Sequence, residues 1–117
     1  LLLASNQYDD NYTSVSDCGH FLKEVYDGNQ QSDAHAQAEF ALLAAQSRRN
    51  KIPAQMPSGV SVANKTGETS SVDHDMAIVF GKKTDYVICV FSRTGSEGYA
   101  IPRIKSISGT VYNYLNK

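Results

Sequence analysis

Length, composition and charge place the chain among globular domains. Its 117 residues suit one domain of modest size, and 41% hydrophobic with 20% charged residues argue against disorder. The 11 basic and 12 acidic residues give a net charge of −1, which argues against a dedicated nucleic-acid-binding protein, because such proteins carry a basic surface. No apolar run has the length of a membrane span.

The first residues suggest that the chain starts inside a larger structure. Leu1 to Ala4 are too few for a signal peptide and lack a basic flank, so we interpret them as the end of an earlier helix. Residues 5–12 are polar and predict a loop.

A first helix is predicted from Ser14, whose hydroxyl can cap the first turn, to a stop at Gly28. Asp17 would lie near the positive end of this helix. Residues at helical spacing give it one apolar face, formed by Val15, Cys18, Phe21, Leu22, Val25 and Tyr26.

A second helix is predicted to begin at Ser32 as its cap and to stop before Pro53. Arg48, Arg49 and Lys51 are expected at its C-terminal end, where cations complement the helix dipole. Its contact stripe is predicted to consist of Ala34, Ala38, Ala41, Leu42 and Ala45.

The pattern changes to strands after residue 59. Alternating residues over 60–65 predict a strand with one buried face, and the apolar runs Met76–Phe80 and Tyr86–Phe91 predict strands covered on both faces. Residues 81–84 form the hairpin turn between these runs. Because the connections are too short for parallel crossovers, the sheet is predicted to be an antiparallel meander.

A last helix is predicted after Gly98, with Pro102 in its first turn. Its apolar stripe consists of Ile101, Ile104, Ile107, Val111 and Leu115 and should lie on one face of the sheet. The fold class is therefore α+β, with two helices, an antiparallel sheet and a C-terminal helix.

Two other groups of residues are candidate sites. Cys18 and Cys89 lie in apolar surroundings and are interpreted as buried free thiols. The sequence Asp73-His74-Asp75 could suggest a metal site, but strand alternation sends His74 to the face opposite both aspartates. No metal or other cofactor is therefore predicted.

The motif with chemical meaning is Lys65-Thr66-Gly67, at the end of the first strand. Together with the stretches 62–68, 74–79 and 86–90, and with residues 11–14 and 48–53 around the first two helices, it resembles the C-terminal part of class A β-lactamases and related penicillin-binding serine hydrolases. The resemblance implies an incomplete fold, in which 1–51 belong to a helical subdomain and 52–117 to a sheet subdomain.

The resemblance also implies roles for four consecutive residues. Lys65 would supply positive charge to the carboxylate of a β-lactam or D-Ala-D-Ala peptide, and Thr66 would donate a hydroxyl to it. Gly67 would allow close approach of the substrate. The backbone N–H of Glu68 would be one oxyanion-hole donor, while its side chain is interpreted as a solvated loop carboxylate.

The other two motifs of the family, S-x-x-K and S-D-N, do not occur in the chain, so the nucleophile and its base are expected upstream of Leu1. The resemblance implies that the complete protein, of which this chain would be the C-terminal part, is an extracytoplasmic β-lactamase or a D-alanyl-D-alanine carboxypeptidase or transpeptidase. A non-catalytic ligand-binding relative and a stand-alone interaction domain with a coincidental motif are the alternatives.

The strand Tyr86–Phe91 is expected to present a free edge that pairs with the missing half or with another copy.

Overall fold

A computed structural model describes residues 12–117. Three helices and three strands follow in the order α1, α2, β1, β2, β3 and α3, with a short 3-10 helix between α2 and β1. Their bounds are α1 Val15–Gln30, α2 Ala34–Ala44, the 3-10 helix Ile52–Gln55, β1 Ser61–Glu68, β2 Asp73–Phe80, β3 Tyr86–Ser92 and α3 Glu97–Leu115. The predicted α+β class is confirmed. The expectations for residues 1–11 lie outside the described part of the chain.

The sheet is an antiparallel meander in the order β1-β2-β3, as predicted. The register pairs Lys65 with Met76 and Gly67 with His74, and it pairs His74 with Phe91 on the other side. Facing residues in such pairs point to the same side of the sheet. Lys65, Gly67, His74 and Phe91 therefore share one face.

The face that carries Lys65 packs against α1 and α2. Its apolar part forms one core cluster with Leu22 and Val25 of α1 and Leu43 of α2, together with Ala63 and Ile78 of the sheet. The opposite face packs against α3 and the 3-10 helix through a second cluster that includes Ile52, Val62, Ala77, Val79, Ile88, Ile104 and Tyr112. Toward the β1–β2 turn, polar residues replace the apolar ones on both faces of the sheet.

Helix α1 begins as predicted, since the Ser14 hydroxyl accepts a hydrogen bond from the Asp17 amide at 3.0 Å. The predicted stop at Gly28 is wrong, because the helix continues to Gln30. The predicted cap of α2 is also wrong. Asp33 caps that helix by accepting from the Ala36 amide at 2.9 Å, while Ser32 takes a positive φ of 62° in the turn between the helices.

The predicted contact face of α2 is wrong. Ala36 and Leu43 are buried, whereas Leu42 is 77% exposed. Apolar residues occupy every side of this alanine-rich helix, so its periodicity does not select one face. Helix α2 ends at Ala44, and the cations Arg48, Arg49 and Lys51 therefore lie beyond it rather than at its C-terminal end as predicted.

The strand and C-terminal helix predictions hold with local corrections. Helix α3 begins at Glu97, so Pro102 lies inside the helix and not in its first turn as predicted. Strand β2 begins at Asp73, ahead of the predicted apolar run, and β3 is only partly buried because it lies at the edge of the sheet. In α3 the buried stripe is Ala100, Ile104, Ser108 and Tyr112, while Ile107 is 45% exposed. Ser108 is buried because its hydroxyl donates to the carbonyl of Ile52 at 2.9 Å.

None of the described helices combines the length and the apolar character that crossing a membrane requires. The division of the chain into a helical part, 1–51, and a sheet part, 52–117, stays a prediction.

Candidate substrate-binding groove

The residues Lys65-Thr66-Gly67 lie near the end of β1, which is an edge strand of the described sheet. An open groove of about 930 Å³ runs over this end of the sheet. Its volume is in the range of small-molecule sites. It is lined by Tyr12, Thr13, Lys65, Gly67, Glu68, Thr69, Val72, His74, Phe91, Ser92 and Arg93.

Lys65 and Gly67 shape the floor of this groove. The Lys65 side chain is exposed, and its ammonium donates to the carbonyl of Thr66. A Cβ added to Gly67 would meet no atom closer than the Cβ of His74, at 3.9 Å. Packing within the protein therefore does not require glycine here, and its missing side chain leaves space above the strand.

Thr66 takes a different position from its neighbours. It lies on the opposite face of the sheet, is 5% exposed, and does not line the groove. Its hydroxyl faces the carboxylate of Glu68 and contributes to lowering the pKa of that group. The structure thus brings Lys65 and Gly67 together in the groove and sends the Thr66 side chain away from it.

The backbone N–H of Glu68 points to the open side of β1. The Thr69 amide donates to the carbonyl of Val72 at 3.0 Å, which makes these residues a hydrogen-bonded pair of the antiparallel ladder. Donors alternate along such a strand, so the N–H groups of Glu68 and Thr66 point away from β2. An outward N–H at the end of an edge strand is available to a ligand.

The Glu68 side chain is an ion-pair partner, so its interpretation as a solvated loop carboxylate is wrong. The ammonium of Lys51, which is 1% exposed, donates to Glu68 Oε1 at 2.7 Å and lies 3.5 Å from Asp73 Oδ1. Arg48 donates to the other carboxylate oxygen of Glu68. The Lys51 hydrogen bond is the main cause that lowers the pKa of Glu68, and the Arg48 charge adds to it.

Asp75 is a buried carboxylate on the face of the sheet that also carries Thr66, Glu68 and Asp73. Asp75 Oδ2 accepts from the Ile52 amide at 3.0 Å, and Oδ1 accepts from the Asn64 side-chain amide at 3.1 Å. Burial raises the pKa of Asp75, while these hydrogen bonds and the charge of Lys51 act in the opposite direction. The network formed by Lys51, Glu68, Asp73, Asp75 and Asn64 ties the segment before the 3-10 helix to the ends of β1 and β2.

A comparison with known protein families decides the relationship. The Beta-lactamase enzyme family matches residues 2–115, which is nearly the whole chain. The chain belongs to the Beta-lactamase enzyme family. No curated protein sequence matches it.

Solved structures of β-lactamases share the fold of this family member. The extended-spectrum β-lactamase TLA-1 is 20% identical with a TM-score of 0.82, and the β-lactamase from Sphaerobacter thermophilus is 20% identical with a TM-score of 0.79. PBP-A is 19% identical with a TM-score of 0.77. These alignments cover 92%, 94% and 88% of this chain but 43%, 43% and 40% of the others. The chain therefore spans less than half the length of the structures that it resembles.

Among the described residues of this β-lactamase-family chain, no group of three or more His, Cys, Asp and Glu side chains is arranged to hold a metal ion. His74 lies on the groove face, whereas Asp73 and Asp75 are buried on the other face beside Lys51. Both cysteines are free and partly buried. Burial is the main cause that raises the pKa of Cys89 to about 11, so its thiolate is suppressed at neutral pH.

Sequence reasoning missed Lys51 and His74 as residues of the site. The sequence predicts Lys51 at the end of a helix, although its partners lie 17 and 22 positions away along the chain. The available signal was that Asp73 and Asp75 lie two positions apart, and so on one face, in a strand that continues into the apolar run 76–80, because acids on a buried face require a cation. The sequence around His74 suggests only a metal ligand, and not a residue that lines a groove.

Proposed function

We propose that this chain supplies the substrate-binding half of a serine acyl-transfer site, and that its acyl donor is a β-lactam. The single observation that supports the proposal most directly is the groove over β1, where Lys65 and Gly67 meet the outward N–H of Glu68. Membership in the Beta-lactamase enzyme family indicates the reaction type. A mutant of PBP-A has been solved as an acyl-enzyme complex with penicillin G, which is the class of ligand proposed here.

In this proposal the chain binds and polarises the donor while a serine from outside its 117 residues attacks it. Lys65 places positive charge near the carboxylate of the β-lactam. The Glu68 N–H donates to the lactam oxygen as the serine Oγ adds to the carbonyl carbon, the C–N bond breaks, and the nitrogen takes a proton. Water then releases the acyl group. The sequence contains no S-x-x-K, so the nucleophile is assigned to another segment.

The test of this proposal is penicillin binding by the 117-residue chain, followed through its amide NMR signals. We expect benzylpenicillin to shift the signals of residues 65–68 without covalent labelling of the chain. Lys65→Met should weaken this binding by about tenfold or more, because a hydrogen bond to a charged group is lost. Lys82→Met, which changes an exposed lysine of the hairpin turn, is the matched control and should bind like the wild type.

Two results would contradict the proposal. A fluorescent penicillin that becomes covalently attached to the chain would show that the nucleophile lies within these residues. Equal loss of binding in Lys65→Met and Lys82→Met would show that ligand and chain meet through general charge attraction.

A D-alanyl-D-alanine peptidase is the second candidate, favoured by the similarity to PBP-A. Amide NMR signals that shift with acetyl-D-alanyl-D-alanine but not with benzylpenicillin would select it.

The free edge of β3 is proposed as the contact with the remaining half of the site. Register and alternation direct the N–H groups of Val87, Cys89 and Phe91 away from β2, and no described strand pairs with them. A row of unpaired donors beside partly buried apolar side chains is a template for strand addition. A segment equivalent to the additional length of the similar structures is the proposed occupant.

We therefore expect the isolated chain to self-associate through the edge that this segment would cover. Sedimentation velocity at increasing concentration should show growth in size, and Val87→Pro, which removes one outward donor, should reduce it. A substitution of an exposed residue away from the edge, Leu42→Ser, is the control. A folded monomer at all concentrations would contradict the proposed role of the β3 edge.

A further inference from the structure

We propose that Cys18 and Cys89 are a redox-active pair, which a low-molecular-weight disulfide oxidises to a disulfide bond between the start of α1 and the edge strand β3. Both thiols are free in the structure. Neither cysteine belongs to the residues assigned above to substrate binding, so this chemistry does not depend on the proposed function. The bond would connect two residues that are distant in sequence and face each other in the fold.

Contacts at both ends show that α1 runs along β3 in the opposite direction. The hydroxyl of Tyr26, in the second half of α1, donates at 2.8 Å to Asp85, which directly precedes β3. At the other end, Thr13 before α1 and Phe91 near the end of β3 line the same groove. The first cysteine lies about 12 Å from Tyr26 along the helix, and the second lies about 13 Å from Asp85 along the strand. The two cysteines are therefore at the same level of the interface.

Both cysteine side chains point into the layer between α1 and the sheet. Cys18 precedes Leu22 by one helical turn and Val25 by two, so all three lie on one side of the helix. Leu22 and Val25 belong to the core cluster, and Cys89 packs against that cluster from β3. The Cα atoms of α1 and β3 come within 8 Å of each other, close to the separation of about 4.4–6.8 Å that a disulfide spans.

The surroundings of the two thiols give them different roles. Burial is the main cause that raises the pKa of Cys89 to about 11, and the charge of Cys18 adds to it, as expected for neighbouring groups. Because the thiolate is the nucleophile, Cys89 is unsuited to the first attack on a reagent. The Sγ of Cys18 lies 3.4 Å from the hydroxyl of Thr13, an exposed residue that lines the groove. A reagent therefore reaches Cys18 from the groove.

The reaction transfers two electrons from the protein to the reagent. The thiolate of Cys18 attacks one sulfur of oxidised glutathione, the S–S bond of the reagent breaks, and one glutathione leaves and takes a proton. Cys89 then gives its proton to water, and its sulfur attacks the Sγ of Cys18 and releases the second glutathione, which is protonated in turn. The protein has lost two electrons and two protons, and the reagent has become two thiols.

The test equilibrates the dilute 117-residue chain with mixtures of oxidised and reduced glutathione. After the remaining thiols are alkylated, mass spectrometry should show a cross-linked peptide that contains both cysteines of one chain. The equilibrium constant for this oxidation should be roughly 30-fold or more larger in the folded chain than in concentrated urea, because a disulfide that fits the fold forms more readily when the fold is present.

Three variants test the order of the steps and the placement of the thiols. Cys89→Ala should accumulate one glutathione on Cys18, whereas Cys18→Ala should react about tenfold more slowly or less. The matched control combines Cys89→Ala with Val87→Cys, which keeps a thiol on the same face of β3 but moves it about 7 Å along the strand. This control should not form the cross-link.

Equal equilibrium constants for the wild type in buffer and in urea would overturn the proposal, and this comparison needs no variant to fold. Glutathione on both cysteines without a cross-linked peptide would also overturn it, as would equal cross-linking in the control with the moved thiol. Equal rates of glutathione addition to the two single variants would overturn the assignment of Cys18 as the first nucleophile.

Discussion

Lys51→Met is expected to destabilise the chain by about 3–5 kcal/mol, because removal of one partner leaves buried charges without compensation. Lys51 is 1% exposed, and its ammonium serves the carboxylates of Glu68 and Asp73 and the carbonyl of His74. Methionine fills similar space but offers no donor to any of them. Urea unfolding at pH 7, compared at constant m-value, measures the loss.

The matched control is Lys23→Met on α1. Lys23 also pairs with a carboxylate, Asp27, at 2.6 Å, but both side chains are exposed. An exposed pair contributes less than about 1 kcal/mol, so this substitution should change stability little. Equal losses of stability in Lys51→Met and Lys23→Met would show that burial does not determine how much the Lys51 ion pair contributes to stability.

The pH dependence of the Lys51→Met effect has a defined sign. The pKa of Glu68 is lowered in the folded state, chiefly by the Lys51 hydrogen bond. A carboxylate with a lowered pKa stabilises the fold above its unfolded pKa, and that contribution disappears as the pH falls through the folded value. The difference between wild type and variant should therefore be largest near neutral pH and should shrink toward pH 3. A difference that grows on acidification would contradict this assignment.

The ion pairs of Glu68 connect the stability of the fold with the geometry of the groove. Lys51 and Arg48 hold the side chain of Glu68 on one face, while the N–H of that residue points out of the strand edge. A strand end anchored through its side chain presents its backbone donor in a fixed direction, which is what an oxyanion-type site requires. If the groove binds an acyl donor as proposed, the buried ion pair fixes the geometry of that site as well as stabilising the fold.

The elements of this fold could be predicted because their patterns are local. Alternation over 60–65, the runs in β2 and β3, and the Ser14 cap each depend on residues close together in sequence, and each was found. The motif Lys65-Thr66-Gly67 could be placed at a strand end for the same reason. The contact face of α2 could not be predicted, because alanines and leucines on every side satisfy several helical stripes equally.

The polar network could not be predicted because its partners meet only in the tertiary structure. Lys51 lies in a connection with three cations in four residues, a composition that is typical of a solvated surface. Its burial depends on how the 3-10 helix packs over the ends of β1 and β2. The side chain of Thr66 illustrates the same limit, since its face is determined by the sheet register and not by the motif.

Asp75→Ala is expected to cost about 2–6 kcal/mol, because it leaves two buried donors unpaired at about 1–3 kcal/mol each. These donors are the Ile52 amide and the Asn64 side-chain amide, and Asp75 itself is fully buried. Asp75→Asn retains one acceptor and should lose less. Asp85→Ala, which removes an exposed acceptor of the Tyr26 hydroxyl, is the control and should have a small effect.

The pH dependence of Asp75→Ala should have the opposite sign to that of Lys51→Met. Burial raises the pKa of Asp75 in the folded state, so the carboxyl stabilises the fold when it is protonated, fully so below its unfolded pKa. That contribution is lost as the pH rises through the folded pKa. The advantage of the wild type over Asp75→Ala should therefore increase as the pH falls from 7 toward 4, while its advantage over Lys51→Met decreases. Parallel pH profiles for the two variants would contradict the assignment of a lowered pKa to Glu68 and a raised pKa to Asp75.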